Sequence, residues 1–378
     1  MFTERLDDLP GKCVFMEPAV RGLSAFGFAF DPFEHLDSTK DAHLQEYLVI
    51  PKAVEIALSD QPVAIFAQPG GGKSALRIYA SNFYKDSRGV RFPVTYVPET
   101  YSTETNFHFE GMNRSLARAA FMYLVSYPDL YFALGSENKQ KLKRLLLEIP
   151  FGLDFNLHAL SESRFVSDLE QALGVPAFSG IPRLDRTHRQ LARELEKESS
   201  SKPLSLENCF ELINNAFGAK SIHILVDGLD GFMETRSVQA LTTWIEPLLN
   251  ILDRWDQENN YLKFFLPMDI SDAPALVNLS TVRSAALTWD DNLLGEVVRR
   301  RVFVASSGRF DSLDAISAPD VHNVELTLVR QLERKEKLPR QAIIKSRSLL
   351  RALIVSGKSE ISSKHLFSIG EPSYAKVL

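Results

Sequence analysis

The chain has 378 residues, 45% hydrophobic and 24% charged, which is ample for a buried core and a second domain. Its two cysteines, Cys13 and Cys209, do not make a disulfide framework, and no Cys or His pair has zinc-site spacing. A net charge of −5 argues against general affinity for nucleic acid.

The first residues of the chain show no targeting or membrane signal. They are acidic, whereas a secretory signal is basic and then apolar, and no run in the sequence has the length of a membrane-spanning helix. We therefore expect a cytoplasmic protein without a membrane partner. The first 50 residues are rich in turn-forming and aromatic residues, and an amphipathic stretch is predicted over 41–58.

A glycine-rich segment follows the apolar run Val63–Phe66 and precedes a helical pattern over about 73–85. A glycine-rich turn between a strand and a helix presents backbone N–H groups to an anion, which the positive end of the helix dipole also favours. We therefore predict a nucleotide-phosphate site. Its predicted binding residues are Gln68, Pro69, Gly70, Gly71, Gly72, Lys73, Ser74 and Ala75.

Two residues of this segment have specific predicted roles. Lys73 would reach the β- and γ-phosphates, and the Ser74 hydroxyl would take one coordination position on Mg²⁺. A strand is predicted next, over 93–98. Glu99 follows it and is one candidate for orienting the attacking water, although an exposed loop carboxylate is the more common meaning of such a residue.

The long segment from His108 to Phe217 predicts a large helical insertion, because apolar residues recur in it at helical spacing. Residues 176–182 are predicted to form a connector within it. Residues 183–202 are predicted to form an exposed helix that ends in a flexible loop around 199–201. No internal repeat is apparent.

A second acidic element follows this segment. Ile222–Val226 is an apolar run typical of a parallel strand buried on both faces, and Asp227 lies at its carboxyl end, where ligands of open α/β sheets bind. We predict that Asp227 holds Mg²⁺, directly or through water, and that Asp230 polarises the attacking water. A turn or helix-capping role is an equal alternative for Asp230.

The remaining predicted elements are helices over about 236–254, 290–301 and 320–366 and strands over 261–266 and 283–289. Within the last helical segment, Pro339 is favourable in the first turn of a helix. Arg340 would then project from the start of that helix toward the nucleotide cleft.

Three segments resemble known motifs. Ala67–Ser74 resembles the Walker A motif, with Ala67 at the position of the first glycine, and Ile222–Asp227 resembles Walker B. The pattern Asp227-Gly-Leu-Asp230 is similar to that of STAND ATPases, including NACHT modules, where the second acid stands in for the Glu beside the aspartate of most AAA+ proteins. Pro339-Arg340 resembles the start of the sensor 2 helix in AAA+ and origin-recognition ATPases.

The resemblance implies a P-loop NTPase of α/β class. A parallel sheet with helices on both faces would occupy residues 1–289, with the insertion at about 108–217. Residues 290–378 would form a helical lid, and ATP would lie between the two domains. Arg340 would contact the γ-phosphate, and the implied catalytic residues are Lys73, Asp227, Asp230 and Arg340.

Other positions match the family less well. The sensor 1 position, usually Asn, Ser or Thr, would fall to Asp269 or Ser271. Arg283, or one arginine of 299–301, is a candidate arginine finger. The alternative for residues 299–301 is the neutralisation of carbonyl groups at the end of their own helix.

These features predict an ATPase that uses ATP and Mg²⁺ and acts as a switch or motor, with a multi-protein system such as bacterial defence as one setting. An ATP-binding adaptor with little hydrolysis is one alternative, favoured by Gly228 and the poor sensor 1 match. A DNA-loading or remodelling ATPase is another, because residues 290–378 carry 15 basic and 11 acidic residues, against 28 and 37 before them. The expected partners are a second copy or another protein bound through the insertion or lid, with nucleic acid as a further candidate.

Overall fold

The computed structural model describes residues 18–87, 90–104, 106–146, 186–195, 204–271, 273 and 282–368. These residues divide into two compact units. The sheet unit holds the described residues of His35–Leu293 and Leu338–Arg340. The helical unit holds those of Met1–Glu34, Leu294–Lys337 and Gln341–Leu378. The predicted domains, 1–289 and 290–378, stay a prediction.

The described residues contain one five-stranded parallel sheet. Its strands are β1 (Val63–Ala67), β2 (Arg91–Tyr96), β3 (Ser221–Val226), β4 (Asn260–Pro267) and β5 (Arg283–Ala286). They lie in the order β2-β3-β4-β1-β5, so that β4 separates β1 from β3. Each run predicted as a strand forms one, and the predicted parallel α/β architecture is confirmed.

The three central strands, β1, β3 and β4, are buried along their whole length, as continuous apolar runs predict. Successive residues of a strand point to opposite faces of the sheet. In β1, Ala64 and Phe66 pack into one hydrophobic core, whereas Ile65 and Ala67 pack into another. The sheet therefore has a core on each face.

Helices cover both of these faces. In chain order the helices of the described residues are α1 (Pro18–Ala25), α2 (Leu44–Tyr47), α3 (Val54–Ala57), α4 (Lys73–Lys85), α5 (Phe107–Ser126), α6 (Asp129–Ala133), α7 (Ser136–Leu146), α8 (Arg186–Leu195), α9 (Leu206–Phe217), α10 (Val238–Leu249), α11 (Leu252–Gln257), α12 (Asp291–Ala305), α13 (Val324–Arg330), α14 (Pro339–Ser356) and α15 (Ser363–Ser368). None of them is both long and apolar enough to cross a bilayer.

Helix α4 has the bounds that the sequence predicts. Leu76, Ala80 and Tyr84 recur every fourth residue along it, which places them on one face. That face packs in the same core as Ile65 of β1 and Phe265 of β4. Burial of this apolar stripe holds α4 against the sheet directly after the glycine-rich segment.

The opposite core receives side chains from α5 through α11. The described part of the predicted insertion is helical, as expected. The helix predicted to be exposed over 183–202 is described only as α8, where Leu191 is buried in this core. The predicted connector at 176–182 and the loop around 199–201 lie outside the described residues.

Several predicted bounds differ from the structure. The single helix predicted over 236–254 is two helices, α10 and α11. Pro247 lies in the last turn of α10, where the missing N–H removes one intrahelical hydrogen bond, and the helix ends two residues later at Leu249. The amphipathic stretch at 41–58 forms only the short helices α2 and α3, and β5 ends three residues before Trp289.

Gly218 provides a test of the connection into β3. It ends α9 with φ at 69°, in the left-handed region, and no heavy atom lies within 4 Å of the position that a Cβ would take. We expect Gly218→Ala to lower the free energy of unfolding by about 1 kcal/mol, through backbone strain alone.

Gly135→Ala is the matched control, because Gly135 has the same open surroundings without a positive φ. This substitution should leave stability unchanged or raise it by up to about 1 kcal/mol. Urea unfolding of the two variants measures the difference. An equal loss in both would contradict a conformational role for Gly218.

Candidate functional site

The glycine-rich segment forms a tight loop between β1 and α4. The Gly71 amide donates a hydrogen bond to the Gln68 carbonyl at 2.8 Å. Gly70 and Gly72 have φ values of 83° and 96°, which residues with a Cβ adopt only with strain. Lys73 then begins α4, and the first N–H groups of a helix have no partner within the helix.

The predicted binding residues therefore form one continuous piece of chain. Gln68 and Pro69 are exposed at the loop, while Ser74 and Ala75 are half-buried in the first turn of α4. The segment has the strand, loop and helix context that phosphate binding by backbone amides requires. The loop lies at the carboxyl end of β1, which is the edge of a parallel sheet where ligands bind.

Asp227 lies at the same edge, directly after β3. Its backbone amide continues the sheet by donating to the Tyr96 carbonyl of β2 at 3.0 Å. The Asp227 side chain is buried, and its Oδ1 accepts a hydrogen bond from the Gly228 amide at 2.8 Å. The strand thus ends in a carboxylate that the local backbone orients.

Two ion pairs join α4 to the end of β3. Lys73 Nζ lies 2.8 Å from Asp230 Oδ2, and Arg77 Nε lies 2.9 Å from Asp227 Oδ2. Lys73 and Arg77 are four residues apart on α4 and therefore share one face of the helix. The two acids are separated by one short turn of chain.

The sheet order explains why these long side chains are needed. Because β4 lies between β1 and β3, the ends of those two strands are about 10 Å apart. Lys73 and Arg77 follow β1, and their side chains span this gap to reach acids that follow β3. A helix that starts next to β1 can therefore neutralise carboxylates two strands away.

The two ion pairs differ in burial. The two cations are equally buried, since the Lys73 and Arg77 side chains are each 10% exposed. The acids differ, because the Asp227 side chain is 5% exposed and that of Asp230 is 28% exposed. A buried pair is costly to break because the remaining charge has neither water nor a partner. Asp227 is therefore the more tightly held acid, and Asp230 is the one that solvent reaches.

The Asp230 side chain contacts Lys73, the first residue of α4, and its catalytic role stays a prediction. The carboxylate pairs with Lys73 across 157 positions of sequence. Thr235 instead closes the turn that follows Asp230, since its Oγ1 donates to the Leu229 carbonyl at 2.8 Å.

Arg77 is a site residue that sequence reasoning missed. A signal for it was available, because Arg77 stands one helical turn after Lys73 on the helix that opens the predicted phosphate site. Its partner could not be inferred from that spacing. The 150 positions between Arg77 and Asp227 are bridged only when the strands assemble.

Trp289 is a second missed residue. Its indole Nε1 donates a hydrogen bond to the Gly71 carbonyl at 2.9 Å, and its Cζ2 lies 3.4 Å from the position that a Cβ would take at Gly72. Trp289 therefore supports the glycine-rich loop directly. No sequence signal indicates this role, because Trp289 is the last residue of a predicted strand, where an aromatic side chain commonly packs in a core.

Arg340, in the first turn of α14, also lies at this loop. Its backbone amide is 3.4 Å from the Gly70 carbonyl, and its Cβ and Cδ lie 3.0 and 3.3 Å from the position that a Cβ would take at Gly70. The close approach of the Arg340 side chain is one reason why glycine is needed at residue 70.

Two other candidate acids, Glu99 and Asp269, lie in the segments after β2 and β4. Glu99 pairs with Arg118 of α5 at 2.7 Å. Asp269 is exposed in a short 3-10 helix, Met268–Ile270, that follows β4. Neither side chain therefore has a described contact with the glycine-rich loop.

The candidate arginine fingers differ in exposure and in their partners. Arg283 is exposed on β5. In the helical unit, Arg301 is buried and donates to the Pro32 carbonyl at 3.0 Å, whereas Arg299 and Arg300 pair with Glu296. Arg301 therefore has a structural role within its own unit.

The donor set at the loop fits a nucleotide-bound Mg²⁺. Asp227 and Ser74 offer oxygen ligands, which Mg²⁺ prefers, and each Asp227 oxygen retains lone pairs beyond its one hydrogen bond. No group of three or more His, Cys, Asp or Glu side chains in the described part of the chain could hold a metal ion. A metal at this position would therefore need phosphate oxygens or water as further ligands.

Comparison with known proteins identifies no family. No protein-family model matches the chain, and no curated protein matches it. A solved structure of the Aeropyrum pernix ORC1 protein in complex with DNA is similar over 89% of this chain and 68% of that chain, with a TM-score of 0.40 and 12% sequence identity. Similarity of this degree establishes neither a shared family nor a shared ligand.

The different burial of the two ion pairs predicts different effects on stability without nucleotide. Asp227→Asn should lower the free energy of unfolding by about 3 kcal/mol, because it leaves the Arg77 guanidinium buried without a counter-charge. Asp230→Asn is the matched comparison and should cost less than Asp227→Asn, because solvent reaches the Asp230 carboxylate, although the substitution also leaves the buried Lys73 ammonium without its counter-charge. Urea denaturation measures both, and equal losses would contradict the asymmetry.

Proposed function

We propose that the chain is an ATP-binding and ATP-hydrolysing P-loop protein of AAA+ or STAND type that acts as a nucleotide-driven switch. The observation that carries this proposal is the pair of contacts from α4 to the end of β3. They unite a glycine-rich phosphate loop with two acids at one edge of a parallel sheet. A lone glycine-rich turn does not require such a convergence.

Binding of the triphosphate would rest on the loop between β1 and α4. Its backbone amides and the N-terminus of α4 would receive the phosphates, where the helix dipole favours negative charge. Lys73 would move from Asp230 to the phosphates and supply a mobile charge. Ser74 and Asp227 would hold Mg²⁺, which when bound neutralises negative charge on the phosphate oxygens.

Hydrolysis would then depend on Asp230. When Lys73 turns to the phosphates, the Asp230 carboxylate loses its counter-charge and becomes free to accept a hydrogen bond from the attacking water. The binding of substrate and the release of the water-orienting acid would thus be one exchange of partners. Water would therefore be activated only when the nucleotide occupies the site.

Arg340 would contact the γ-phosphate of bound ATP. It lies against Gly70, and α14 has its first two residues in the sheet unit and the others in the helical unit. A contact from Arg340 to a γ-phosphate would therefore act on a helix that continues into the helical unit. This continuity of chain supports the proposed switch.

An ATP-binding adaptor with little hydrolysis is the second candidate. Two observations favour it. Both acids at the end of β3 already have cationic partners, and Gly228 stands where AAA+ proteins carry a glutamate. Measured turnover separates the two candidates. Oligomer formation and nucleic-acid binding stay predictions.

The proposal is tested by calorimetric titration of ATP with Mg²⁺. Lys73→Ala should weaken ATP binding about 10- to 100-fold, because it removes one charge-assisted contact to phosphate. Lys85→Ala is the matched control, since Lys85 is the exposed last residue of the same helix, and it should leave affinity unchanged. Absence of ATP binding by the folded wild-type chain would end the proposal.

Asp230→Asn separates binding from hydrolysis. We expect ATP affinity to rise about two- to fivefold, because a competitor for Lys73 is removed. Turnover should fall about 10²- to 10⁴-fold, because the group that orients water is lost. Steady-state phosphate release and calorimetry measure the two effects, and weaker ATP binding in this variant would refute the partner exchange.

Arg340→Ala tests the γ-phosphate contact. ATP affinity should fall about tenfold while ADP affinity stays unchanged, because the guanidinium would contact only the terminal phosphate. Arg351→Ala, at an exposed position further along α14, is the control. An equal loss of ATP and ADP affinity would assign Arg340 to support of the loop instead.

A further inference from the structure

The function proposed above gives Asp227 a role but assigns none to its partner Arg77. Over the whole residue, Arg77 is 8% exposed and Asp227 is 4% exposed, so the pair has almost no contact with water. Arg77 Nε donates to Asp227 Oδ2 at 2.9 Å, and Oδ1 of the same carboxylate accepts the Gly228 amide at 2.8 Å. Each oxygen of the acid expected to face Mg²⁺ therefore already has a protein partner.

The position of Arg77 makes this pairing persistent. Its neighbour Leu76 packs in the core between α4 and the sheet, as does Ala80 one turn further on, and α4 holds Arg77 at the end of β3. A guanidinium does not lose its proton in proteins and is weakly hydrated, so it suits a buried ion pair. Lys73, in contrast, pairs with the partly solvated Asp230.

A buried carboxylate without a counter-ion is costly, and a divalent cation could satisfy that need in the empty site. Arg77 satisfies it instead. A free divalent cation that approaches Asp227 meets the positive charge of Arg77 and finds no cluster of three acidic or imidazole ligands in the described residues. A polyphosphate would supply the additional negative charge and oxygen ligands that a divalent cation needs in order to bind at Asp227.

We infer that Arg77 is a positioning residue that serves as the resident cation of Asp227. It fixes the carboxylate for metal held by a polyphosphate and prevents a free divalent cation from binding at Asp227 in the nucleotide-free protein. The inference rests on the proposed ATP site and adds an order of events to it. Metal and nucleotide bind together, and the nucleotide-free site binds no metal.

The test is titration of the nucleotide-free full-length chain with Mn²⁺, followed by the electron paramagnetic resonance signal of the free ion. The wild type should show no Mn²⁺ site in the micromolar range. Arg77→Met keeps an apolar stem but removes the charge, and it should tighten Mn²⁺ binding at least tenfold. Arg77→Lys should restore the wild-type result, because it returns a cation to Asp227.

Two further variants assign the site. Arg77→Met combined with Asp227→Asn should lose the Mn²⁺ site, since no carboxylate remains there. Lys85→Met, an exposed charge change on the same helix, should behave as the wild type. Unchanged Mn²⁺ affinity in folded Arg77→Met, or tight binding by Arg77→Lys, would overturn the inference.

If Arg77→Met does not fold, a comparison of the wild type with Asp227→Asn still tests the inference. A stoichiometric Mn²⁺ site in the nucleotide-free wild type that Asp227→Asn abolishes would refute the inference. Calorimetry with ATP distinguishes its failure from failure of the proposed function. A wild type that binds no ATP ends the proposed function, whereas the Mn²⁺ comparison still reports whether Arg77 excludes metal from Asp227.

Discussion

The arrangement of this molecule depends on charge pairing between one helix and the end of one strand. Lys73 and Arg77 project from α4 to Asp230 and Asp227, which follow β3. Charges taken from water must find partners, because an unpaired buried ion costs several kcal/mol. The pairing therefore fixes α4, the glycine-rich loop before it and the acidic turn in one geometry.

The sheet makes this pairing possible. Parallel strands bring their carboxyl ends to one edge, so the loop after β1 and the acids after β3 share that edge despite their distance in sequence. The intervening strand β4 sets the gap that long cationic side chains must span. Trp289, three residues after β5, and Arg340 of α14 contact the same loop, and together these contacts join four separate segments of the sheet unit.

The proposed function follows from how unequal the two ion pairs are. The partly solvated Lys73–Asp230 pair is suited to exchange partners when phosphate arrives, whereas the buried Arg77–Asp227 pair is suited to persist. One pair would thus respond to the ligand while the other maintains the site. The first step of such a switch would require only that a side chain changes its partner, without movement of the helices or strands.

Local pattern predicted much of this structure. The apolar runs predicted each of the five strands. The helical pattern that includes Leu76, Ala80 and Tyr84 predicted the bounds of α4 correctly. Strand burial and helix periodicity are properties of short segments, so they can be read locally. The break between α10 and α11 was missed, although Pro247 was visible, because a proline near a helix end does not by itself reveal where the chain turns.

The sequence by itself determined the elements, the glycine-rich loop, Lys73 and the two acids as candidates, because these depend on neighbouring residues. Only the tertiary structure decided that Arg77 binds Asp227, that Trp289 supports Gly71 and that Glu99 has another partner. Such contacts depend on strand order, which places segments about 150 residues apart beside one another. The spacing of residues along the chain does not reveal the strand order, because that order is established only when the whole sheet buries its two faces.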